Sequence, residues 1–287
     1  MNRELLLNSV NHIDCDVKFK KTIKLLTDER RIKINSSNLF CCTHAINIAL
    51  DFYELGNADV INYDDLEENF VFSDSVSENL NKIYNKNLDY VSLPSIFSED
   101  ELLTDQFLEI ANAIILEQEN QVDPVEVFNL VKWLCSSLLK PIYSAGYPSS
   151  QEEYEHNYEI VFSTLEIIEN KLSNNRYLTG NKLTFADIFL YSILIRFDVA
   201  FFMLYKLNKQ LIRDYSNLSK YMRDLYQTES FGNSTNFDLI KKCYYFNLSP
   251  YYFEEGDANA PSQPVRKLPL GPDEDFWLKP HGRDLFI

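Results

Sequence analysis

Two adjacent thiols, Cys41 and Cys42, stand just ahead of an apolar-periodic stretch, and that placement is where the sequence has a candidate for chemistry. A thiol reacts as its thiolate, and the free N–H groups and dipole of a helix N-terminus favour that anion. Arg31, Ile32, Lys33 and Ile34 alternate as a short strand, and a Ser-Ser-Asn loop follows. Beyond the thiols, Ile46, Ala49, Leu50 and Tyr53 recur at helical spacing as far as Gly56-Asn57. Strand, cysteine-bearing loop and helix therefore run in that order. A free cysteine is also commonly a small buried hydrophobe, so spacing alone leaves both roles open. His44 suggests a Cys-His pair or a metal, but C-C-T-H without a second ligand cluster is too short for a zinc framework, and no metal site is expected. A bridge between the neighbouring cysteines would be strained.

The elements around this loop change character along the chain. Val60, Ile61 and Tyr63 suggest a second strand, and the acidic stretch 64–89 has no clear period. Residues 91–97 read as a strand interrupted by Pro94, which points to an edge or a special loop rather than a central ladder. Leu103, Phe107, Ile110, Ala111 and Ile114 mark an amphipathic helix. Helical stripes then dominate. Asp123-Pro124 supplies an N-cap with proline at the first helical position, and the stripe Val127, Val131, Leu134, Leu138 runs until Pro141 ends it. A second stripe runs from Tyr154 to Leu172. Thr184 and Asp187 form a capping box that opens an apolar helix reaching Tyr205, and Asn217 to Leu225 holds a shorter one. Arg196 and Asp198 in the middle of the apolar helix would be costly in lipid, so it reads as a core helix with a buried polar network. The tail 249–287 holds six of the 10 prolines and reads as an extended arm.

Composition narrows the classes. On a prior of roughly 150 residues per domain, 287 residues suggest about two domains. With 27 Lys and Arg against 43 Asp and Glu, the net charge of −16 opposes a phosphate backbone or an anionic membrane, so neither nucleic acid nor membrane is an expected partner. Only 7 glycines are present and no GxGxxG or GxxxxGK[ST] occurs, which removes the usual phosphate-cradling loops. The cysteines at 15, 41, 42, 135 and 243 are scattered rather than framed for disulfides, and the N-terminus lacks an apolar signal segment. A reducing, cytoplasmic setting is the expectation.

The order strand, cysteine, helix, Pro94 strand, helical half resembles a glutathione transferase. NKLTFADIFLYSILIRFD at 181–198, SNLSKYMRDLYQ at 216–227, NFDLIKKCYY at 236–245 and GPDEDFWLKPHGRD at 271–284 together look like its Xi class, the glutathionyl-hydroquinone reductases, as does PIYSAGYPSSQEEYE from Pro141. The resemblance implies an α/β thioredoxin-like N-terminal domain over 1–120, an all-helical domain over 121–248 and a packed C-terminal arm over 249–287. It implies a cysteine thiolate that attacks the sulfur of a glutathionylated aromatic substrate, with glutathione as cosubstrate. The family's Cys-Pro-Trp-Ala nucleophile motif falls on Cys41-Cys42-Thr43-His44. The helix pattern matches Cys41 to the nucleophile, spacing to Gly56 matches Cys42, and a third register places Phe40 there.

The same resemblance matches Tyr143 and Tyr244 to the tyrosines beside the phenolic substrate, with Tyr147 and Tyr245 as further pocket residues. It makes Pro94 the family's cis-proline and Leu93 the residue whose backbone meets the glutathione cysteinyl group, and it places Thr104-Asp105 at the γ-glutamyl end. Thr104 has the alternative role of capping the following helix. Three functions stay in view: a glutathione-dependent thiol transferase or reductase, a conjugating or dehalogenating transferase without a cysteine nucleophile, and a non-catalytic dimerisation or binding protein. A homodimer is implied in each case.

Overall fold

The strand that precedes the thiols is β1, Ile32–Ser36, and it lies at the centre of a small mixed sheet. The computed structural model describes residues 32–36, 38, 40–55, 58–62, 94–98, 101–247 and 274–286. Within them the strand order is β2-β1-β3-β4, with β2 at Ala58–Asn62, β3 at Ser95–Ser98 and β4 at Glu101–Thr104. β2 runs parallel to β1, Val60 opposite Ile34, as a crossover through a helix requires. β3 is antiparallel to β1, Ile96 opposite Ile34, and β4 is antiparallel to β3. Leu93, the stretch 64–89 and most of the arm lie outside the described residues.

Three sequence expectations change here. Pro94 does not mark an edge: β3 is flanked on both sides, and Pro94 is buried one residue ahead of the ladder, where its missing N–H costs no strand hydrogen bond. Leu103 belongs to β4 rather than to the helix, which is α2, Phe107–Gln118. Cys41 and Cys42 are not in a loop. They are the first two residues of α1, Cys41–Phe52, because Phe40 is still extended (φ −111°, ψ 149°) while its carbonyl already accepts from His44 N.

The helical half begins with α3, Pro124–Leu134, capped by Asp123 Oδ1 accepting from Val125 N at 3.0 Å. Its apolar stripe is buried as the spacing predicts. Pro141 does not end it. A π-helical turn, Cys135–Leu139, shifts the hydrogen-bond register and lets α4, Lys140–Gly146, start with Pro141 in its first turn, where a missing N–H is tolerated. α5, Gln151–Leu172, opens on Ser150, whose hydroxyl accepts from Glu153 N.

The apolar stretch after Thr184 is also discontinuous. α6, Phe185–Leu194, is buried along its whole length and gives way at Arg196 to a second π-helical turn, Phe197–Phe201, followed by the one-turn α7, Phe202–Leu204. No described helix is long and apolar enough to cross a membrane. α8 (Leu218–Tyr226), α9 (Glu229–Asn233) and α10 (Phe237–Lys242) complete this half, and a third π-helical turn, Cys243–Asn247, extends α10. α11, Glu274–Trp277, buries Trp277, while Gln227 Nε2 donates to the carbonyls of Trp277 and Lys279.

Buried carboxylates start several of these elements. Asp187 accepts four hydrogen bonds, from Thr184 N and Oγ1, Leu178 N and the Tyr221 hydroxyl. Asp198 accepts from Ile212 N and Arg213 N at 2.6 and 3.1 Å. Burial outweighs these bonds and pushes each carboxyl up to about 6. An unfolded Asp titrates near 3.9, so between those values the folded state holds the extra protons. Stability contributed by each group is therefore greatest on the acid side and is lost as pH rises through that window, by about 2–3 kcal/mol per group. Denaturant unfolding from pH 4 to 7 should show a shallower decline for Asp198→Asn than for the wild type; parallel declines contradict this.

Candidate active site

α1 presents Cys41 to an aromatic cluster supplied by the helical half. Cys41 Sγ lies 3.9 Å from the Tyr244 hydroxyl, and that hydroxyl lies 2.7 Å from the hydroxyl of Tyr143. Three elements distant in sequence therefore meet: the start of α1, the middle of α4 and the π-helical turn after α10. All three side chains are buried. Phe201 packs edge-on against Tyr244 and Tyr143, and Tyr205 stacks on Phe201 with centroids 5.4 Å apart. Tyr147 packs edge-on against Tyr205. Gly146 is required for this closeness, since a Cβ there would lie 2.6 Å from the Tyr205 ring.

The electrostatics follow from burial. Desolvation pushes the Cys41 thiol up, while Arg196 and the two phenols pull the other way. Burial drives Tyr143 and Tyr244 well above the ordinary phenol range, so both keep their protons at neutral pH. With Tyr143 donating to Tyr244, the Tyr244 O–H is available to donate to Sγ. A thiolate at Cys41 would then have a phenol donor on one side and the first-turn N–H groups of α1 on the other, which Phe40 cannot cap with its side chain.

His44 is engaged at both ring nitrogens. Arg196 NH1 donates to Nδ1 at 3.0 Å, which places the ring proton on Nε2, 3.1 Å from Ser234 Oγ; Ser234 in turn donates to the Phe231 carbonyl. Burial and the Arg196 charge hold His44 well below its usual range, and hence neutral. Arg196 and Asp198 do not share one network, because the break at Arg196 sends the guanidinium toward α1 and the carboxylate toward residues 212–213.

The remaining sequence-derived positions are less concentrated. Cys42 is buried in the first turn beside Cys41, and Cys135 and Cys243 are buried as well. Thr104 closes β4 and serves the helix start: Oγ1 donates to Glu109 Oε2 at 2.6 Å and accepts from Gln106 N. Asp105 Oδ1 accepts from Gln106 Nε2. Tyr245 is half-buried, and among the described residues its hydroxyl has no hydrogen-bond partner. Residue-by-residue reading missed Arg196 as a neighbour of the thiols, along with Phe201, Tyr205 and Ser234. A charged residue inside an apolar helix, two residues from an opposite charge, was the available signal for the first.

Residues 151–224 match the family model for the glutathione S-transferase C-terminal domain. Over 153 residues the chain is 36% identical to the glutathionyl-hydroquinone reductase YqjG of Escherichia coli (strain K12), an overlap of 53% of this chain and 43% of that protein. The chain thus spans less than half the length of that relative. In fold, the glutathione-bound structure of YqjG, described as a glutathione transferase homolog, superposes with a TM-score of 0.72 at 24% identity, covering 93% of this chain and 90% of that one. A Xi class glutathione transferase from Natrialba magadii gives 0.75 at 24% identity, covering 94% and 89%.

The tyrosine pair yields a direct test. Tyr143→Phe or Tyr244→Phe alone leaves the partner hydroxyl short of a buried hydrogen bond and should cost about 1–3 kcal/mol, whereas the double variant removes both partners and should cost clearly less than the sum. Equilibrium unfolding of the four proteins measures the coupling; strict additivity contradicts the bond.

Proposed function

We propose that this member of the glutathione transferase superfamily, similar to its Xi class, is a glutathione-dependent thiol transferase or reductase acting on glutathionylated aromatic compounds of the hydroquinone kind. The observation that carries the reading is Cys41 Sγ at the start of α1 against the Tyr244–Tyr143 phenol pair. A thiol, two phenols and an aromatic surround suit an aromatic guest that must receive a proton as its bond to sulfur breaks.

In this reading the Cys41 thiolate attacks the sulfur of the adduct. The new S–S bond joins Cys41 to glutathione, and the carbon–sulfur bond breaks with its electron pair left on the ring carbon. That carbon takes a proton, for which the Tyr244 hydroxyl, 3.9 Å from Cys41 Sγ, is the proposed donor, and hydroquinone departs. A second glutathione thiolate attacks the mixed disulfide, releasing glutathione disulfide and restoring Cys41 as a thiolate. The ring carbon is reduced by two electrons, and the thioether sulfur of the adduct and one glutathione thiol become the disulfide. Pro94 and the Thr104–Asp105 turn are the described candidates for flanking the glutathione peptide, with Leu93 beside them in sequence. The reading extends to a homodimer and to a reducing, cytoplasmic setting, to which cysteines scattered along the chain without a disulfide framework are suited.

A second reading has a specific observation in its favour. Cys41 is 2% exposed and its thiol is pushed up by burial, which also suits a transferase or binding protein that holds glutathione without a cysteine nucleophile. Incubation with glutathione disulfide, followed by intact-mass analysis and peptide mapping, separates the two. A single glutathione adduct on Cys41, lost in Cys41→Ser and kept in Cys42→Ser, is the expected result. If neither Cys41 nor Cys42 takes the adduct and Cys41→Ser still turns over a glutathionyl-hydroquinone, the second reading replaces the first.

A further inference from the structure

Arg196 is fully buried, and among the described residues no carboxylate lies within ion-pair distance of it. Arg176, by contrast, pairs with Asp224 at 2.9 Å; buried Arg283 donates to three carbonyls at and just beyond the end of α5. The Arg196 guanidinium has only neutral acceptors: the carbonyls of Ser192 and Asn38 and the His44 ring. Among the described residues its Nε has no hydrogen-bond partner. Asp198, the nearest carboxylate in sequence, is turned away and satisfied by two backbone N–H groups. A buried charge without a counter-charge is expensive, and breaking a buried pair by removing one partner is strongly destabilising.

The anion that would complete this site is on α1. The titratable groups coupled to Arg196 from the surrounding elements are Cys41 and His44 on α1, Tyr143 on α4, Tyr191 on α6, and Cys243 and Tyr244 on the turn after α10. His44 is neutral, and burial keeps the three phenols protonated. A thiol ionises before a phenol under ordinary conditions, and of the two thiols Cys41 opens a helix whose first-turn N–H groups favour an anion, whereas Cys243 continues one. α1 carries no Lys or Arg anywhere in Cys41–Phe52, so the helix brings no cation of its own. Arg196 also holds the helix start in place, through the Asn38 carbonyl ahead of Cys41 and His44 one turn after it.

We propose that Arg196 is the positioning residue for the Cys41 thiolate, supplying from the helical half both the counter-charge and, through His44 and Asn38, the placement of the helix start. This rests on Cys41 being the reactive thiol. The test is alkylation of the full chain with iodoacetamide over a pH series, the label on each cysteine being read by peptide mapping. Cys135, buried elsewhere, reports any general loosening. Arg196→Gln keeps amide donors for the two carbonyls and loses the charge, and Arg196→Lys keeps the charge.

Removal of a nearby opposite charge moves a titration by about one unit or more, so Cys41 in Arg196→Gln should label about tenfold slower at a fixed pH below its midpoint, with Cys135 unchanged. Arg196→Lys should stay within about threefold of the wild type. A folded Arg196→Gln that labels at the wild-type rate overturns the proposal, as does a Lys variant that loses as much as the Gln variant. Should Arg196→Gln unfold, Arg196→Lys decides alone: a near-wild-type rate supports the proposal and a tenfold loss overturns it. A glutathione adduct on Cys41 with labelling indifferent to Arg196 would overturn this inference and leave the reductase reading intact. An Arg196-dependent thiol that takes no glutathione would do the reverse.

Discussion

A guanidinium taken fully out of water must find hydrogen bonds wherever it ends up, and the placement of the site follows from where Arg196 finds its own. The apolar stretch that begins at Phe185 stops being α-helical beside Arg196, where the chain tightens and then widens into a π-helical turn. That break points the guanidinium out of the helical half at the Asn38 carbonyl and the His44 ring. The start of α1 is thereby fixed against the helices, and Cys41 is left facing Tyr244. The π-helical turns before α4 and after α10 bring in the two tyrosines. Register shifts of this type are concentrated in the segments that carry the aromatic groups of the site.

A second regularity explains what much of the acidic excess does. Asp123 caps α3, Asp187 starts α6, and Asp198 receives the N–H groups of the 212–214 turn. Glu169 takes those of Asn217 and Leu218 at the start of α8. Glu119, just past α2, accepts from Phe185 N at 2.8 Å and from the Tyr53 hydroxyl, tying the end of α1 to the first turn of α6. Anionic side chains at helix N-termini satisfy free donors and meet the positive end of the dipole. The opposite device closes α5, where Arg283 donates to the carbonyls of Leu172, Asn175 and Arg176.

What the sequence made legible was what depends on local pattern. The Asp123-Pro124 start, the Thr184–Asp187 box and the buried stripes of α3 and α5 follow from spacing and cap chemistry alone. β4 was missed because four residues, Glu-Leu-Leu-Thr, carry too little alternation to separate from the helix that follows. The π-helical turns have no signature in residue type, so Pro141 looked like a helix end and 185–205 like one unbroken helix. In the site, the family resemblance pointed to Cys41 or Cys42 together with Tyr143 and Tyr244, and of the two cysteines it is Cys41 that lies beside the tyrosines. Arg196 was visible as a misfit in an apolar run, but its direction depends on the break beside it. Phe201, Tyr205 and Ser234 become neighbours of the site only through tertiary packing.

The central claim is that the sulfur chemistry of this fold runs through Cys41 under the Tyr244 phenol. A crystal structure of the chain soaked with glutathione disulfide tests it most directly. The expected result is a mixed disulfide on Cys41 Sγ, with the Tyr244 hydroxyl still within hydrogen-bonding reach of that sulfur and the peptide extended along Pro94. Glutathione bound with its sulfur away from Cys41, or bonded to Cys42 with Cys41 unchanged, would contradict it.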